Sequence, residues 1–120
     1  MKKVFPLLLF VLLAFSGCQR GPAMYTIAEN PADVAVNAEK FAKQTEKRSS
    51  HYTAEDWNVA FNQFVDMSKN YIDKKNYMSE EDINRFTAAR LNFMKSVQKN
   101  GTEDLARQIK EAYNSLESFK

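Results

Sequence analysis

The sequence predicts an all-α fold, an antiparallel up-and-down helical bundle, on three observations. Past residue 18 only two glycines, Gly21 and Gly101, and two prolines, Pro22 and Pro31, interrupt the chain, which leaves long stretches free of helix breakers. Apolar residues recur at spacings of three and four, the period of a helix with one buried face. Helix-start signals, a capping residue with Asp three positions later, stand at Asn30/Asp33, Thr53/Asp56 and Ser79/Asp82.

The first helix, about Pro31 to Lys47, carries the stripe Val34, Ala38, Phe41 and Thr45. Small side chains bury little area, and at about 25 cal/mol per Å² little area means weak docking. The second helix, from Thr53, carries Trp57, Ala60, Phe64, Met67 and Tyr71, and the third, from Ser79, carries Ile83, Phe86, Phe93 and Val97. Arg90 falls on that third line, where its stem can cover apolar surface while the guanidinium reaches water, or where it is a buried charge in need of a partner. Hydrophobic staples are expected between Tyr52 and Trp57 and between Met78 and Ile83. The fourth helix starts at Thr102 and carries Leu105, Ile109, Ala112, Leu116 and Phe119, with Gly101 expected in the left-handed conformation that closes the helix before it. Asn100-Gly101-Thr102 also spells a glycosylation sequon, read here as cap chemistry. Short connections place successive helices side by side and antiparallel. The expected bundle therefore has three core helices within 53–120 and a more weakly packed N-terminal helix at 31–48.

Ahead of these helices stand Met1-Lys2-Lys3, an apolar run from Val4 to Phe15 broken only by Pro6, and then Ser16-Gly17-Cys18. The run is shorter than the roughly 20 apolar residues that cross a bilayer, and its charged start and small-residue end are those of a cleaved signal peptide. Phe15-Ser16-Gly17-Cys18 resembles the lipobox of bacterial lipoproteins, with Phe15 where Leu is commoner. The resemblance covers 18 of 120 residues. It implies cleavage by signal peptidase II between Gly17 and Cys18, lipidation of Cys18 (palmitate among the acyl chains), and anchoring in a membrane by a hold well above that of a single acyl chain. In such proteins the residues after the cysteine carry sorting information. Here Gln19-Arg20-Gly21-Pro22 holds no Asp next to Cys18 and no acidic cluster, which implies the periplasmic face of the outer membrane. The expected organisation is a signal peptide over 1–17, a lipidated Cys18 and flexible tether over 18–30, and one bundle domain over 31–120. Its composition resembles that of small helical lipoproteins of Gram-negative envelopes.

Removing Lys2 and Lys3 from the 17 basic residues leaves 15, against 15 acidic ones. A balanced chain lacks the basic footprint that nucleic acid requires. The nearest cluster, Lys40, Lys43, Lys47 and Arg48, is interleaved with Glu39 and Glu46 and reads as a solvated helix face. Nucleophilic catalysis finds no set of residues, because the one cysteine falls in the lipobox and no glycine-rich elbow or phosphate loop exists. An enzyme is not expected, and no cofactor is.

The acidic pairs Glu55-Asp56 and Glu103-Asp104 open the second and fourth helices, which an up-and-down bundle brings to one end together with His51. That set is a candidate divalent-cation site, although carboxylates in a first turn are favoured by the helix dipole in any case. Tyr25 and Tyr77, in a polar segment and a turn, are the candidate interaction surface. The expected function is a membrane-tethered, non-catalytic module that binds an envelope protein, with a small-ligand or metal-binding lipoprotein as the alternative.

Overall fold

A computed structural model describes residues 21–118. The signal segment, Gly17, Cys18 and Phe119 lie outside the described residues. Helix α1 spans Pro31–Arg48, α2 Ala54–Lys74, α3 Glu80–Asn100 and α4 Glu103–Glu117, with 3-10 turns at Ser49–His51 and Lys75–Tyr77. No strand occurs among the described residues, and the fold is an all-α bundle.

Three helix starts are capped as their sequences direct. The Thr53 hydroxyl accepts from the Asp56 N–H at 3.1 Å while the Asp56 carboxylate accepts from the Thr53 N–H at 3.0 Å. Ser79 and Thr102 accept from the N–H groups of Asp82 and Leu105. Tyr52 and Trp57 form the expected staple, their rings edge to face at 4.9 Å. Asn30 departs from expectation. Its side chain makes no capping bond, and α1 opens instead on its backbone carbonyl, which accepts from the Asp33 N–H at 3.0 Å, and on Pro31 in the first turn.

The four helices alternate in direction, and α1, α3, α4 and α2 follow one another around the bundle. The sequence expectation placed α2 beside α3. They lie instead across the core from each other, spaced by the stacked ring pairs Tyr71–Phe86 at 4.0 Å and Phe64–Phe93 at 5.1 Å. The most extensive helix–helix interface is between the parallel helices α1 and α3. Contacts along that pair advance together, from Glu39 with Arg85 to Phe41 with Phe93 and Ser49 with Asn100. The bidentate pair of Arg85 with Glu39 holds the Glu39 carboxyl below its ordinary pKa.

This corrects the expectation of a weakly packed first helix. Val34, Ala35, Ala38, Phe41, Ala42 and Thr45 of α1 are all buried. Small side chains on both helices, with Ala35, Ala38 and Ala42 buried on α1 and Ala89 and Ser96 buried on α3, suit the extensive interface between them, where many weak dispersion contacts add up. The least buried helix is α4, in which Ile109 alone is fully buried and Leu105, Ala112 and Leu116 are half-buried.

The expected flexible tether is also corrected over its described part. Residues 21–30 form an extended strap laid along α2, with Ala23, Tyr25 and Ala28 buried in the common core. An extended segment has no internal partners for its backbone, and polar side chains supply them. The Ala23 N–H donates to the Tyr52 hydroxyl, the Tyr25 N–H to Gln63 and the Ala28 N–H to Asn70, at 2.9, 2.6 and 2.8 Å. On the far side Asn37 donates to the Thr26 carbonyl at 3.0 Å.

Gly101 ends α3 without the expected left-handed turn, since its φ is −96°. Its N–H donates to the Val97 carbonyl at 2.7 Å, and a Cβ placed on it would lie 2.8 Å from that same oxygen. Glycine is required there for close approach, not for a positive φ.

Candidate functional site: a cation-rimmed groove between α3 and α4

The acidic end of the bundle does not assemble an ion site. Among the described residues no group of three or more His, Cys, Asp or Glu side chains is placed to hold a metal, and the set His51, Glu55, Asp56, Glu103 and Asp104 is corrected accordingly. The reason is local. Asp56 is turned back onto the start of α2 by its capping bond, and Asp104 bonds Arg107 and Gln108 one turn along its own helix. His51, Glu55 and Glu103 are exposed. Asp56 thus satisfies its own helix start, as the dipole favours, and Asp104 is taken up by side chains of its own helix.

Of the two tyrosines expected at a surface, Tyr77 is 77% exposed and Tyr25 only 6%. Tyr25 fails as a surface residue because the strap presses it into the core. There its hydroxyl donates to Asn70 at 2.7 Å, its ring meets Phe41 edge to face at 6.3 Å, and burial pushes its phenol above the ordinary pKa.

A different surface carries the features of a binding site. Between α3 and α4 runs an open groove of about 450 Å³, whose floor includes Phe64 and Ile109 and whose walls include Leu91, Met94 and Tyr113. A second hollow of about 430 Å³ shares Leu91, Met94 and Gln98 with it, so the concavity continues over the outer face of α3. Leu91 is 49% exposed, one of few large apolar side chains so presented. Three cations, Arg90, Arg107 and Lys110, line the groove, and no carboxylate does among the described residues. Residues 18–120 hold 15 basic and 15 acidic side chains, so that is a local asymmetry.

Arg90 is the most constrained of the three. Its guanidinium stacks over the Tyr113 ring at 4.3 Å, and its Nε is buried with no hydrogen-bond partner. An unpartnered buried donor costs roughly 1–3 kcal/mol, which the contact with the ring offsets only in part. Tyr113 is fixed from behind by its own bond to Glu117 at 2.8 Å and by Phe64, 6.3 Å away between centroids. Phe64 in turn stacks on Phe93, and Phe93 on Phe41. An aromatic row thus crosses the bundle from the strap to the groove and holds the groove wall in place.

The sequence reading found Arg90 through its position on the third stripe but missed Leu91, Met94 and Lys110. A signal existed, since Leu91, Met94 and Gln98 repeat at three and four along a second line of α3, on which Leu91 is exposed and Met94 sits at the edge of the core. Comparison with protein-family models, with curated proteins and with solved structures gives no match.

Proposed function

We propose that the chain is a lipid-anchored, non-catalytic protein of the bacterial envelope, most consistent with the outer membrane's periplasmic face, that works as a protein-interaction module. The observation that carries the interaction role is the groove of α3 and α4, an open, partly apolar concavity rimmed by Arg90, Arg107 and Lys110, of which Arg107 is paired with Asp104. Apolar walls beside Arg and Tyr side chains bring together residue types found at protein interfaces. Support for the anchor is the tetrapeptide Phe15-Ser16-Gly17-Cys18 behind a charged start and an apolar run.

Strap and anchor together define how the domain would sit. Only Gln19 and Arg20 separate Cys18 from Gly21, where the strap begins, and three Cα–Cα steps span at most about 11 Å. Ala23 is bonded to Tyr52 at the start of α2, so the bundle end bearing the Ser49–His51 turn lies nearest the lipid and the groove faces sideways. A domain held this close samples partners in the plane of the membrane.

Two measurements test the reading. Growth with an alkyne palmitate analogue labels the wild-type chain and leaves Cys18→Ala unlabelled; a labelled Cys18→Ala protein removes the anchor from the proposal. A photo-crosslinker at Leu91, in the native envelope, gives one reproducible protein adduct, whereas a probe at Asn62 on exposed α2 surface gives none. Loss of the Leu91 adduct, or equal adducts from both probes, removes the interaction role.

A further inference from the structure

We infer that the groove between α3 and α4 takes an acidic amphipathic helix of a partner protein, an inference that rests on the interaction role proposed above. Its walls are two antiparallel helices, and the lining residues run from Arg90 to Gln98 on one and from Ala106 to Asn114 on the other. At 1.5 Å per residue each wall is about 12 Å long, which two to three turns of a third helix cover. Such a helix sets apolar residues at i, i+3, i+4 and i+7 into an apolar trough, and here Leu91, Met94 and Tyr113 are placed to receive them.

Charge selects the flanks of that helix. Arg90, Arg107 and Lys110 line the trough without a carboxylate among them, so Asp or Glu beside the apolar stripe supplies what is missing. Arg107 is already engaged by Asp104, which leaves Arg90 and Lys110 as the principal cations. The guanidinium of Arg90, with one face against Tyr113, is held in place before a partner arrives, and little rotamer freedom is lost when a carboxylate pairs with it. Arg and Tyr side by side are also the residue types that dominate binding energy in interfaces.

Other occupants fit less well. A small amphiphile is usually enclosed over most of its surface, whereas this trough is open along one side. A bilayer would have to meet the side of the bundle rather than the strap end that the anchor brings to it.

The test uses the full lipidated chain in its native envelope, with a photo-crosslinker at Gln98, an exposed residue of the groove, and mass spectrometry to map the adducted residue. The expected adduct falls in a segment with apolar residues at helical spacing and Asp or Glu on either side. Its yield falls about tenfold in Lys110→Glu and in Leu91→Asp, both exposed positions, with circular dichroism and thermal melting unchanged, and it falls again as ionic strength rises. A protein adduct in a segment without acidic residues, or a yield indifferent to Lys110→Glu, overturns the acidic helix and leaves the interaction role standing. Adducts to lipid only, or to nothing, overturn both.

Discussion

Asn70 and Ala28 exchange two hydrogen bonds: the side-chain oxygen of Asn70 accepts from the Ala28 N–H at 2.8 Å, and its amide nitrogen donates to the Ala28 carbonyl at 3.0 Å. One side chain on a helix thus does for an extended segment what a neighbouring strand does in a sheet, and the same oxygen accepts from the Tyr25 hydroxyl. Asn70 is buried, so none of these groups can turn to water instead.

Asn70→Leu is therefore expected to destabilise the fold by about 1–3 kcal/mol, because it strands the Ala28 N–H, the Ala28 carbonyl and the Tyr25 hydroxyl together. Urea unfolding measures the loss. Limited proteolysis locates it, since a released strap is cut between Met24 and Ile27, whose side chains are already 59% and 57% exposed. Unchanged protection of that segment would show that burial of Ala23 and Tyr25 alone holds the strap.

Packing of α1 against α3 makes a second prediction. Ala38 and Ala89 are buried in the two helices that share the most extensive interface of the bundle, and a leucine at either position overfills it. Overpacking of this kind costs about 1–3 kcal/mol, while leucine at exposed Ala32 or Ala88 is expected to be neutral within about 0.5 kcal/mol. Thermal melts of the four variants make the comparison. Equal melting temperatures would restore the loosely docked first helix that the thin stripe suggested.

Much of this fold was legible because local chemistry and tertiary structure agree. The caps at Thr53, Ser79 and Thr102 and the stripe Trp57, Ala60, Phe64, Met67 and Tyr71 are each satisfied within one helix, so a window of sequence contains the whole argument. What stayed hidden depends on partners far along the chain. Asn70 reads as an ordinary polar residue until Ala28, 42 positions earlier, lies against it. The alanines of α1 read as a poor stripe until Ala89 and Ser96 present an equally small surface. Gly-Pro at 21–22 suggested a loose tether, yet the period-two burial of Ala23 and Tyr25 appears only once α2 offers Gln63 and Tyr52 as partners. The groove was missed for the same reason, as Lys110 and Arg90 come from different helices. The acidic end reads as a ligand set only when local partners are left out, the Thr53 N–H for Asp56 and the Arg107 and Gln108 side chains for Asp104.

Gly101 separates two explanations of a helix-terminal glycine. A left-handed glycine tolerates Asn better than Ala, because Asn adopts positive φ more readily. At φ −96° any Cβ meets the Val97 carbonyl at 2.8 Å, so Gly101→Ala and Gly101→Asn are expected to lose stability alike, by about 1 kcal/mol or more. A clear advantage of Asn over Ala in chemical denaturation would reinstate the left-handed cap.

The pH dependence has a direction at each end. Burial raises the phenol pKa of Tyr25, Tyr113 and Tyr52, and the bond to Glu117 adds to the rise at Tyr113. A group whose proton is held more tightly in the folded state stabilises the fold fully below its unfolded pKa, here about 10, and that contribution is lost as pH climbs through the folded value. The urea midpoint is thus expected to drop above pH ~10. Tyr25→Phe keeps the ring against Phe41 and cannot ionise, so it should flatten part of that drop at a small cost near neutrality, where Asn70 still receives the Ala28 N–H. Glu39 runs the other way. Its pKa is lowered, chiefly by the bond from Arg85, so its contribution is present above the unfolded carboxylate value of about 4.3 and is lost as pH falls through the folded one. Arg85→Gln should therefore shrink the acid-side loss and leave the alkaline side unchanged. Identical acid limbs for the wild type and Arg85→Gln would mean that the pair contributes nothing to folding, as exposed ion pairs often do.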